Sequence, residues 1–432
     1  MAPQLTLQAP LELPPQEVPD YLGRLWEGEQ EQANGASTFS LVVWEPAWIE
    51  QQLVRLGRLT GPINGLERPE LLQAAREAIP VCGLPPSTSP LAPELAWQLG
   101  QLPGDASAED LRGQQVDAAI SRHQPRRLIT LAPTLDGHRP LETLVAAYCP
   151  LPEEGPMTSV CGDVVVMRGG LGALEHGLQM VNPLISAELP CWVWWNGCLD
   201  EAPQLFEAVS QAPRRLVVDT AIGSPARALE VLCSRAASGQ AISDLNWYRL
   251  VSWRESLAMA FDMPSRRDAL AHVVQLDIDV QGHQPVQGLL MAAWIADRLG
   301  WQLEHTSKAE GDGILASFRR PDGVPVRFRQ MPVPVGTPST HPGSLVGLRL
   351  VCEPEGRTPL CVILCGETGG CMRLEAGGMA RLELVEEVVA TAVESAQKEV
   401  SRTLRGGHDS TNPLLCAAAP LLPSCCQIDL CH

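Results

Sequence analysis

Long apolar segments are missing from this 432-residue chain, and no run reaches the roughly 18 apolar residues that predict a transmembrane helix. The opening segment, MAPQLTLQAPLELPPQEVPD, also lacks the basic and apolar regions of a secretory signal. We therefore expect a cytoplasmic location. Hydrophobic residues still make up 45% of the chain and charged residues 19%, so a sizeable core is available.

The sequence fingerprints of common enzyme classes are missing as well. The chain has no phosphate-binding loop of the Walker type, no HExxH motif and no GxSxG nucleophile elbow. The nearest dinucleotide motif begins at Gly170 and Gly172, but Glu175 stands where the third glycine belongs. A carboxylate there would face a pyrophosphate, so the segment is interpreted as a turn before a helix and no cofactor is expected.

Positive charge is scarce, because 32 Lys and Arg residues against 50 Asp and Glu residues give a formal net charge of −18. Such a chain repels phosphate backbones and anionic lipids, so neither nucleic acid nor membrane is expected as a partner.

A metal site is weakly indicated at one point only. Asp277 and Asp279 lie two residues apart on a predicted strand, with His283 after the following turn. A divalent cation would need a further ligand that the sequence does not supply. Paired or solvated carboxylates are therefore favoured, and no metal is expected.

Apolar periodicity predicts two regions that differ in character. The first alternates strands and helices, which is typical of a layered α/β domain. The second ends in a run of strands and a closing helix, which indicates an α+β domain with antiparallel strands. The predicted helices cover residues 17–30, 108–123, 171–180, 204–210, 226–237, 245–261, 286–299 and 386–403. The predicted strands cover residues 38–44, 127–131, 144–149, 160–167, 192–195, 215–219, 273–280, 314–318, 324–329, 345–351, 360–365, 372–375 and 381–385.

These elements define the predicted domains. The parts are a disordered head (1–15), an N-terminal α/β domain (16–50 and 104–240), a helical insert (51–103), a C-terminal α+β domain (241–405) and a Cys-rich flexible tail (406–432). The insert runs helix, Gly-rich loop, helix, Pro-rich loop, helix, and its loop is Thr60-Gly61-Pro62-Ile63-Asn64-Gly65. It resembles the peptidoglycan-binding type of three-helix module, and we expect a spacer or contact role for it.

Three of the 14 cysteines lie close together in the C-terminal domain. If the strands around Cys365 and Cys371 form a hairpin with Gly366 to Gly370 as its loop, the two cysteines lie opposite each other, within reach of a disulfide. Cys361 is an additional thiol nearby. A zinc site and simple buried cysteines are the alternatives. The tail cysteines, Cys416, Cys425, Cys426 and Cys431, have no predicted role.

A second cluster is aromatic. Strand alternation places Trp192 and Trp194 on one face and Trp195 on the other. Sheet packing is the favoured interpretation, and an interface anchor is the functional alternative.

Several segments together resemble one family, the cyanobacterial type of OpcA glucose-6-phosphate dehydrogenase assembly proteins. The segments are ASTFSLVVWEP (36–46), the helical insert, HQPRRLI (123–129), AYCP (147–150), LPCWVWW (189–195), RLVVD (215–219), DLNWYRL (244–250) with WRE (253–255), and CGETGGCMRLEAGG (365–378). Two features depart from the family pattern: HQPR replaces an HPSR-like segment, and the Cys-rich tail is unfamiliar.

The resemblance implies a non-catalytic partner that binds glucose-6-phosphate dehydrogenase, favours its active oligomer and raises its activity. It also implies control by thioredoxin through a disulfide between Cys365 and Cys371. Asp244, Asn246, Trp247 and Arg254 join the three tryptophans as possible interface residues. The rival functions are a thiol oxidoreductase, which the absence of a CxxC motif disfavours, and a glycan-binding protein acting through the insert.

Overall fold

The computed structural model describes residues 4–25, 39–44, 125–133, 138–150, 161–185, 190–200, 202–334, 343–367, 371–378, 381–390, 396–405 and 411–422. The predicted insert at 51–103 and the predicted helix at 108–123 lie outside these ranges.

In chain order, the helices and strands are β1 (Gln4–Glu12), α1 (Val18–Leu25), β2 (Ser40–Trp44), β3 (Arg127–Pro133), β4 (Glu142–Pro150), β5 (Gly162–Gly169), α2 (Leu171–Ile185), β6 (Cys191–Trp195), α3 (Pro203–Val209), β7 (Arg215–Val218), α4 (Pro225–Ala237), β8 (Ile242–Asp244), α5 (Leu245–Arg249), α6 (Val251–Ala260), α7 (Pro264–Arg267), β9 (Val273–Gln281), α8 (Val286–Arg298), β10 (Gln302–Lys308), β11 (Ile314–Arg319), β12 (Pro325–Val333), β13 (Leu345–Cys352), β14 (Leu360–Glu367), β15 (Cys371–Gly378), β16 (Arg381–Ala390), α9 (Ala396–Arg405) and α10 (Pro413–Ala418). Short 3-10 turns cover Pro15–Glu17, Asp268–His272, Glu310–Asp312 and Ala419–Leu421.

The chain divides into two compact units. The first comprises Met1–Gly197, Glu201–Val218 and Ala396–Gly407, and the second comprises Cys198–Asp200, Asp219–Ser395 and His408–His432. Each unit is built around its own sheet.

The strands of the first unit lie side by side in a largely parallel arrangement, in the order β1-β4-β5-β3-β2-β6-β7. The neighbours from β5 to β7 pair in parallel, and β4 and β1 add antiparallel strands at one edge. Every residue of β2, β5 and β6 is buried, as expected for parallel strands that are covered on both faces. Trp195 stacks on Trp44 with ring centroids 4.6 Å apart and meets Phe206 edge-on at 5.0 Å.

The second unit contains a sheet with strand order β10-β11-β12-β9-β13-β14-β15-β16. β12 pairs with β9 in parallel, and the other neighbouring strands pair antiparallel. α8 packs on β9, and α6 packs on β14 and β15. Gly288 allows the close approach of α8, because a Cβ there would lie 2.4 Å from Oε1 of Gln330.

Two expectations about the chain ends are wrong. The head is not disordered throughout, because β1 pairs antiparallel with β4. Register shifts on either side of Gln8 let this edge strand accommodate Pro10. The tail is not a flexible segment as far as Leu422, because α10 packs into the second unit with Leu415 and Leu422 fully buried.

Thr411 and Asn412 explain why the tail is ordered. The Thr411 hydroxyl accepts from the Ile242 amide at 3.0 Å and donates to the Gln240 carbonyl at 2.9 Å. Asn412 then caps α10 by accepting from the Leu414 amide. These are contacts between residues distant in sequence, which composition does not reveal.

The predicted closing helix also begins too early. β16 continues to Ala390, and α9 covers only Ala396–Arg405. The residues from Glu386 to Ala390 pair with β15 instead, since a short sequence such as EEVVA is compatible with a strand as well as with a helix. β10 was not predicted. Among the helices of the described ranges, none combines the length and the apolar composition that a bilayer crossing requires.

Candidate functional site

The hairpin that carries the candidate thiols is longer than the sequence predicted. β14 and β15 remain paired up to Glu367 opposite Cys371, and Cys365 lies opposite Arg373. The expectation that Cys365 and Cys371 face each other directly is therefore wrong. They are diagonal neighbours, because Gly366 and Glu367 continue the strand rather than forming the loop. Diagonal Cα atoms are about 7–8 Å apart, slightly beyond the usual range for a disulfide.

The two faces of β14 differ in exposure. Val362 and Leu364 are fully buried on the face that α6 covers, whereas Cys365 on the other face is exposed. In the register, Cys371 pairs with Glu367, two residues after Cys365. We call this second side of the sheet the open face, defined by Arg327, Arg329, Arg349, Cys361, Ile363 and Cys365.

Cys361 lies on the open face beside an arginine. A hydrogen bond with the Cys361 sulfur raises the pKa of the Arg349 guanidinium, although partial burial opposes this effect. Cys352 behaves differently, since burial raises the pKa of its thiol to about 12. A thiol that ionises so reluctantly is a poor nucleophile, so Cys352 is a core residue.

Two arginines of the open face flank Asp277, and the third binds Gln275 beside it. Nε of Arg329 lies 3.3 Å from Oδ1 of Asp277, and Nη1 of Arg349 lies 3.8 Å from Oδ2. Gln275 donates to the same carboxylate at 2.7 Å and accepts from Arg327 at 2.9 Å. Asp277 is buried while the three arginines are exposed, so the carboxylate positions guanidinium groups that face solvent.

These contacts account for the Asp277 carboxylate, which the sequence offered as one ligand of a metal site. Asp277 is engaged by arginines, and the pKa of Asp279 is raised chiefly by burial, with Arg329 opposing it. His283 lies 3.7 Å from Asp312. Within the described ranges, no group of three or more His, Cys, Asp or Glu side chains could hold a metal ion.

A buried polar network supports the second unit. Asp244 begins α5 by accepting from the Asn246 amide at 3.1 Å, and it also accepts from the amide and hydroxyl of Thr220 at 3.0 and 2.8 Å. Asn246 accepts from Gln287 at 2.8 Å, and Gln287 accepts from the Leu345 amide at 2.6 Å. The network therefore links α5, α8 and β13 by side-chain hydrogen bonds.

Asp244 is the most perturbed acid of this network. Burial raises its pKa to about 6, hydrogen bonds from Thr220 and Asn246 oppose the rise, and the neighbouring Asp219 adds to it. Asp219 itself forms a buried ion pair with Arg249, with its Oδ2 2.7 Å from Nη2.

The helix α6, which follows α5 in the chain, packs directly against the strands of the hairpin. The Trp253 ring of α6 lies against Gly366, the residue after Cys365, because a Cβ added at Gly366 would be 3.6 Å from that ring. The guanidinium of Arg254 lies 3.7 Å from the centre of the Trp247 ring, and burial lowers the pKa of Arg254 to about 10. The WRE segment therefore packs against the thiol hairpin, and Trp247 of the DLNWYRL segment contacts it through Arg254.

All seven residues expected as possible interface positions lie in the interior. Trp192, Trp194, Trp195, Asp244, Asn246, Trp247 and Arg254 are each at most 8% exposed. In this conformation such side chains offer no surface to a partner, so their geometry supports packing and positioning. A run such as CWVWW does not reveal whether its strand is covered on both faces, which is why the sequence left both interpretations open.

The glycine turn after β5 is occupied by the protein itself. The Gly170 amide donates to the Arg139 carbonyl at 2.9 Å, and a Cβ at Gly169 would lie 3.1 Å from Pro140 and Leu141. A backbone donor that a nucleotide phosphate would need is thus already used, which supports the interpretation as a structural turn.

The site residues expected from the sequence did not include Arg327, Arg329 and Arg349. The signal was present, because arginines alternate with Val326 and Phe328 along β12 in the period of a half-buried strand. Only the sheet order places Arg349 of β13 near this pair, across β9.

These features define a two-unit α/β protein with an exposed thiol hairpin and a glycine turn closed by its own backbone. Family models for the glucose-6-phosphate dehydrogenase subunit match the chain over residues 117–234 (N-terminal domain) and 240–419 (C-terminal domain). An OpcA protein of the OxPP cycle from Synechococcus elongatus is 35% identical over 425 residues, covering 94% of this chain and 95% of the relative. The corresponding Synechocystis protein is 30% identical over 432 residues, covering 94% and 91%. The chain belongs to the OpcA family of glucose-6-phosphate dehydrogenase subunits.

Solved structures show only distant likeness. A 3-ketoreductase from Actinomadura kijaniata is 8% identical with a TM-score of 0.35, covering 56% of this chain and 78% of that one. UDP-N-acetylglucosamine 3-dehydrogenase from Acidithiobacillus ferrooxidans is 11% identical with a TM-score of 0.31, covering 57% and 84%. At such values these structures carry no argument about function.

Proposed function

We propose that this chain is a non-catalytic assembly factor and activator of glucose-6-phosphate dehydrogenase in the oxidative pentose phosphate pathway. The observation that carries the proposal is similarity across the whole chain to relatives named OpcA, together with domain models named for a subunit of that dehydrogenase. A thiol oxidoreductase is not favoured, because Cys365 and Cys371 are separated by five residues rather than two.

A partner without chemistry of its own acts by selective binding. If the chain binds the active oligomer of the dehydrogenase more tightly than the inactive form, it shifts the population toward activity. The size of the shift is limited by the ratio of the two affinities. The closed glycine turn at Gly170 supports this role over nucleotide chemistry within the chain itself.

The thiol hairpin is the proposed regulator. Thioredoxin, a dithiol, would give two electrons and two protons to a Cys365–Cys371 disulfide, leaving two thiols and becoming a disulfide itself. Because the paired register holds these cysteines diagonally, closing the disulfide would require the end of the hairpin to shift. Oxidation and reduction would therefore change the shape of the open face, and not only its sulfur chemistry.

The open face is the proposed docking surface for the dehydrogenase. Its exposed arginines form a local positive patch on a chain whose net charge is −18, which suits an acidic surface on the enzyme. The thiols lie on the same side of the sheet, so a change in their redox state would be felt at the contact.

The decisive experiment measures the mass of the complex and the turnover of the dehydrogenase together. Purified dehydrogenase is mixed with the chain under oxidised and reduced thioredoxin, and the mass of the complex and the rate of the enzyme are recorded together. We expect complex formation and activation that differ between the two redox conditions. Failure to bind in both conditions, or conversion of a metabolite by this chain alone, would contradict the assembly function.

Serine variants separate docking from its regulation. Cys365→Ser and Cys371→Ser should activate the dehydrogenase but no longer respond to thioredoxin. Cys416→Ser is the matched control, because this exposed cysteine lies on α10, away from the hairpin in the chain. Redox sensitivity that persists in the hairpin variants would overturn the switch while leaving the assembly function intact.

A further inference from the structure

A second sulfur site lies in the first unit. Cys161 directly precedes β5 and is bonded in a disulfide in this structure. Its backbone is held firmly, because Nη1 of Arg126 donates to the Cys161 carbonyl at 2.5 Å. The amide of Asp163, two residues on, donates to the Arg126 carbonyl at 2.9 Å. One half of the disulfide is therefore fixed at the beginning of β5.

Strand pairing indicates the other half. β4 and β5 are antiparallel, and their pairing ends with Tyr148 opposite Gly162. One step further along the same register places Cys149, which still belongs to β4, opposite Cys161. Directly opposed residues have Cα atoms about 4.5–5.5 Å apart, which is the separation that a disulfide requires.

We propose that Cys149 and Cys161 form a cross-strand disulfide, a redox-active site in the first unit that is independent of the Cys365 and Cys371 hairpin. Its reductant is a small or protein dithiol. The dithiol attacks one sulfur, breaks the S–S bond and is itself oxidised to a disulfide, while two electrons and two protons leave free thiols on Cys149 and Cys161. The inference does not depend on the proposed function.

The consequence of this disulfide is mechanical. It fastens the ends of β4 and β5, and β4 in turn carries the edge strand β1, in which Leu5 lies opposite Cys149. Crosslinking a short loop restricts the unfolded chain and so stabilises the folded unit. Reduction should therefore lower the melting temperature of the protein by several degrees.

Peptide mapping of the full-length protein tests the pairing. No Lys or Arg lies between residues 140 and 167, so trypsin leaves both cysteines on one peptide, whereas cleavage after Glu153 or Glu154 separates them. We expect the two resulting peptides to stay joined without reductant and to separate, each with one alkylated cysteine, after treatment with a dithiol. For this test the protein is isolated without reductant and then exposed to an oxidant. If the two peptides then separate before any reductant is added, the proposal is overturned. Cys161 crosslinked to a different cysteine would also overturn it.

Variants link the crosslink to stability. Reduction should lower the melting temperature of the wild type and of the Cys365→Ser/Cys371→Ser double variant by the same amount. It should leave the Cys149→Ser/Cys161→Ser variant unchanged. Should the latter variant fail to fold, the single variant Cys149→Ser provides the check, because Cys161 must then become open to alkylation. Protection of Cys161 in that variant would contradict the pairing.

Discussion

The two sheets of this protein differ in how they are covered. In the first unit, β2 is buried at every residue from Ser40 to Trp44. In the second unit, exposure alternates along β12, where the buried Val326 and Phe328 alternate with the exposed Arg327 and Arg329. The first pattern is that of a parallel strand packed on both sides, and the second is that of a sheet with one solvated face.

This difference separates stability from recognition. Side chains of β2, β5 and β6 are enclosed on both faces and cannot contact a partner, however aromatic they are. The open face of the second unit displays arginines and thiols while the opposite face keeps the core. A partner-binding role is therefore expected from the alternating sheet.

Trp195→Ala should give the largest loss of stability. The ring is fully buried between Trp44 and Phe206, and its removal leaves a cavity in a sheet that is covered on both sides. We expect a loss of about 3–5 kcal/mol in the free energy of unfolding, measured by chemical denaturation.

Trp195→Phe is the matched control for this change, because it keeps an aromatic ring in the stack. It should lose clearly less stability than Trp195→Ala. Equal losses would show that ring stacking with Trp44 and Phe206 contributes little at this position.

Neighbouring residues on one strand test the contrast directly. In β2, Val42→Ala and Val43→Ala should each cost about 2 kcal/mol, because both side chains are fully buried. In β14, Leu364→Ala should cost about 2–5 kcal/mol, and Ile363→Ala on the open face about 1 kcal/mol or less. Denaturant melts of the four variants provide the comparison, and equal costs for Leu364 and Ile363 would mean that the open face is covered.

The sequence identified most strands of both sheets, since apolar runs such as SLVVW and RLVV show local β propensity. It misplaced the partner of Cys365, because glycines at 366, 369 and 370 are compatible with either a long loop or a continued strand. It missed the order of the head and tail, because β1 and Thr411 are held by residues far away in the chain. Pairing between distant segments leaves no periodic signal.

Asp244→Asn should produce a pH-dependent loss of stability. Burial raises the pKa of Asp244 from its ordinary value of 3.8 to about 6, so the folded protein binds this proton more tightly than the unfolded chain. The resulting stabilisation is fully present below the unfolded pKa and is lost as pH rises through about 6. The cost of Asp244→Asn should therefore be larger at about pH 4.5 than at about pH 7.5, by about 2 kcal/mol.

Thermal or urea unfolding at the two pH values measures this difference. Asp268→Asn is a suitable control, since Asp268 is exposed and 3.4 Å from Arg357 at the surface. Its effect should remain small at both pH values. A cost of Asp244→Asn that is constant or grows with pH would contradict the raised pKa.

Arg349→Glu should change recognition more than stability. Its guanidinium is exposed on the open face and lies 3.8 Å from Asp277, so a carboxylate placed there repels that buried group and should lower the free energy of unfolding by about 1 kcal/mol. If the open face binds the dehydrogenase, reversing this charge should weaken the complex several-fold, and the loss should shrink at high salt because screening removes the repulsion. Titration calorimetry or interferometry at two salt concentrations measures the affinity. Arg349→Lys keeps the charge and should bind nearly as the wild type does. If Arg349→Glu binds with unchanged affinity, the open face does not contact the dehydrogenase and is only the location of the thiols.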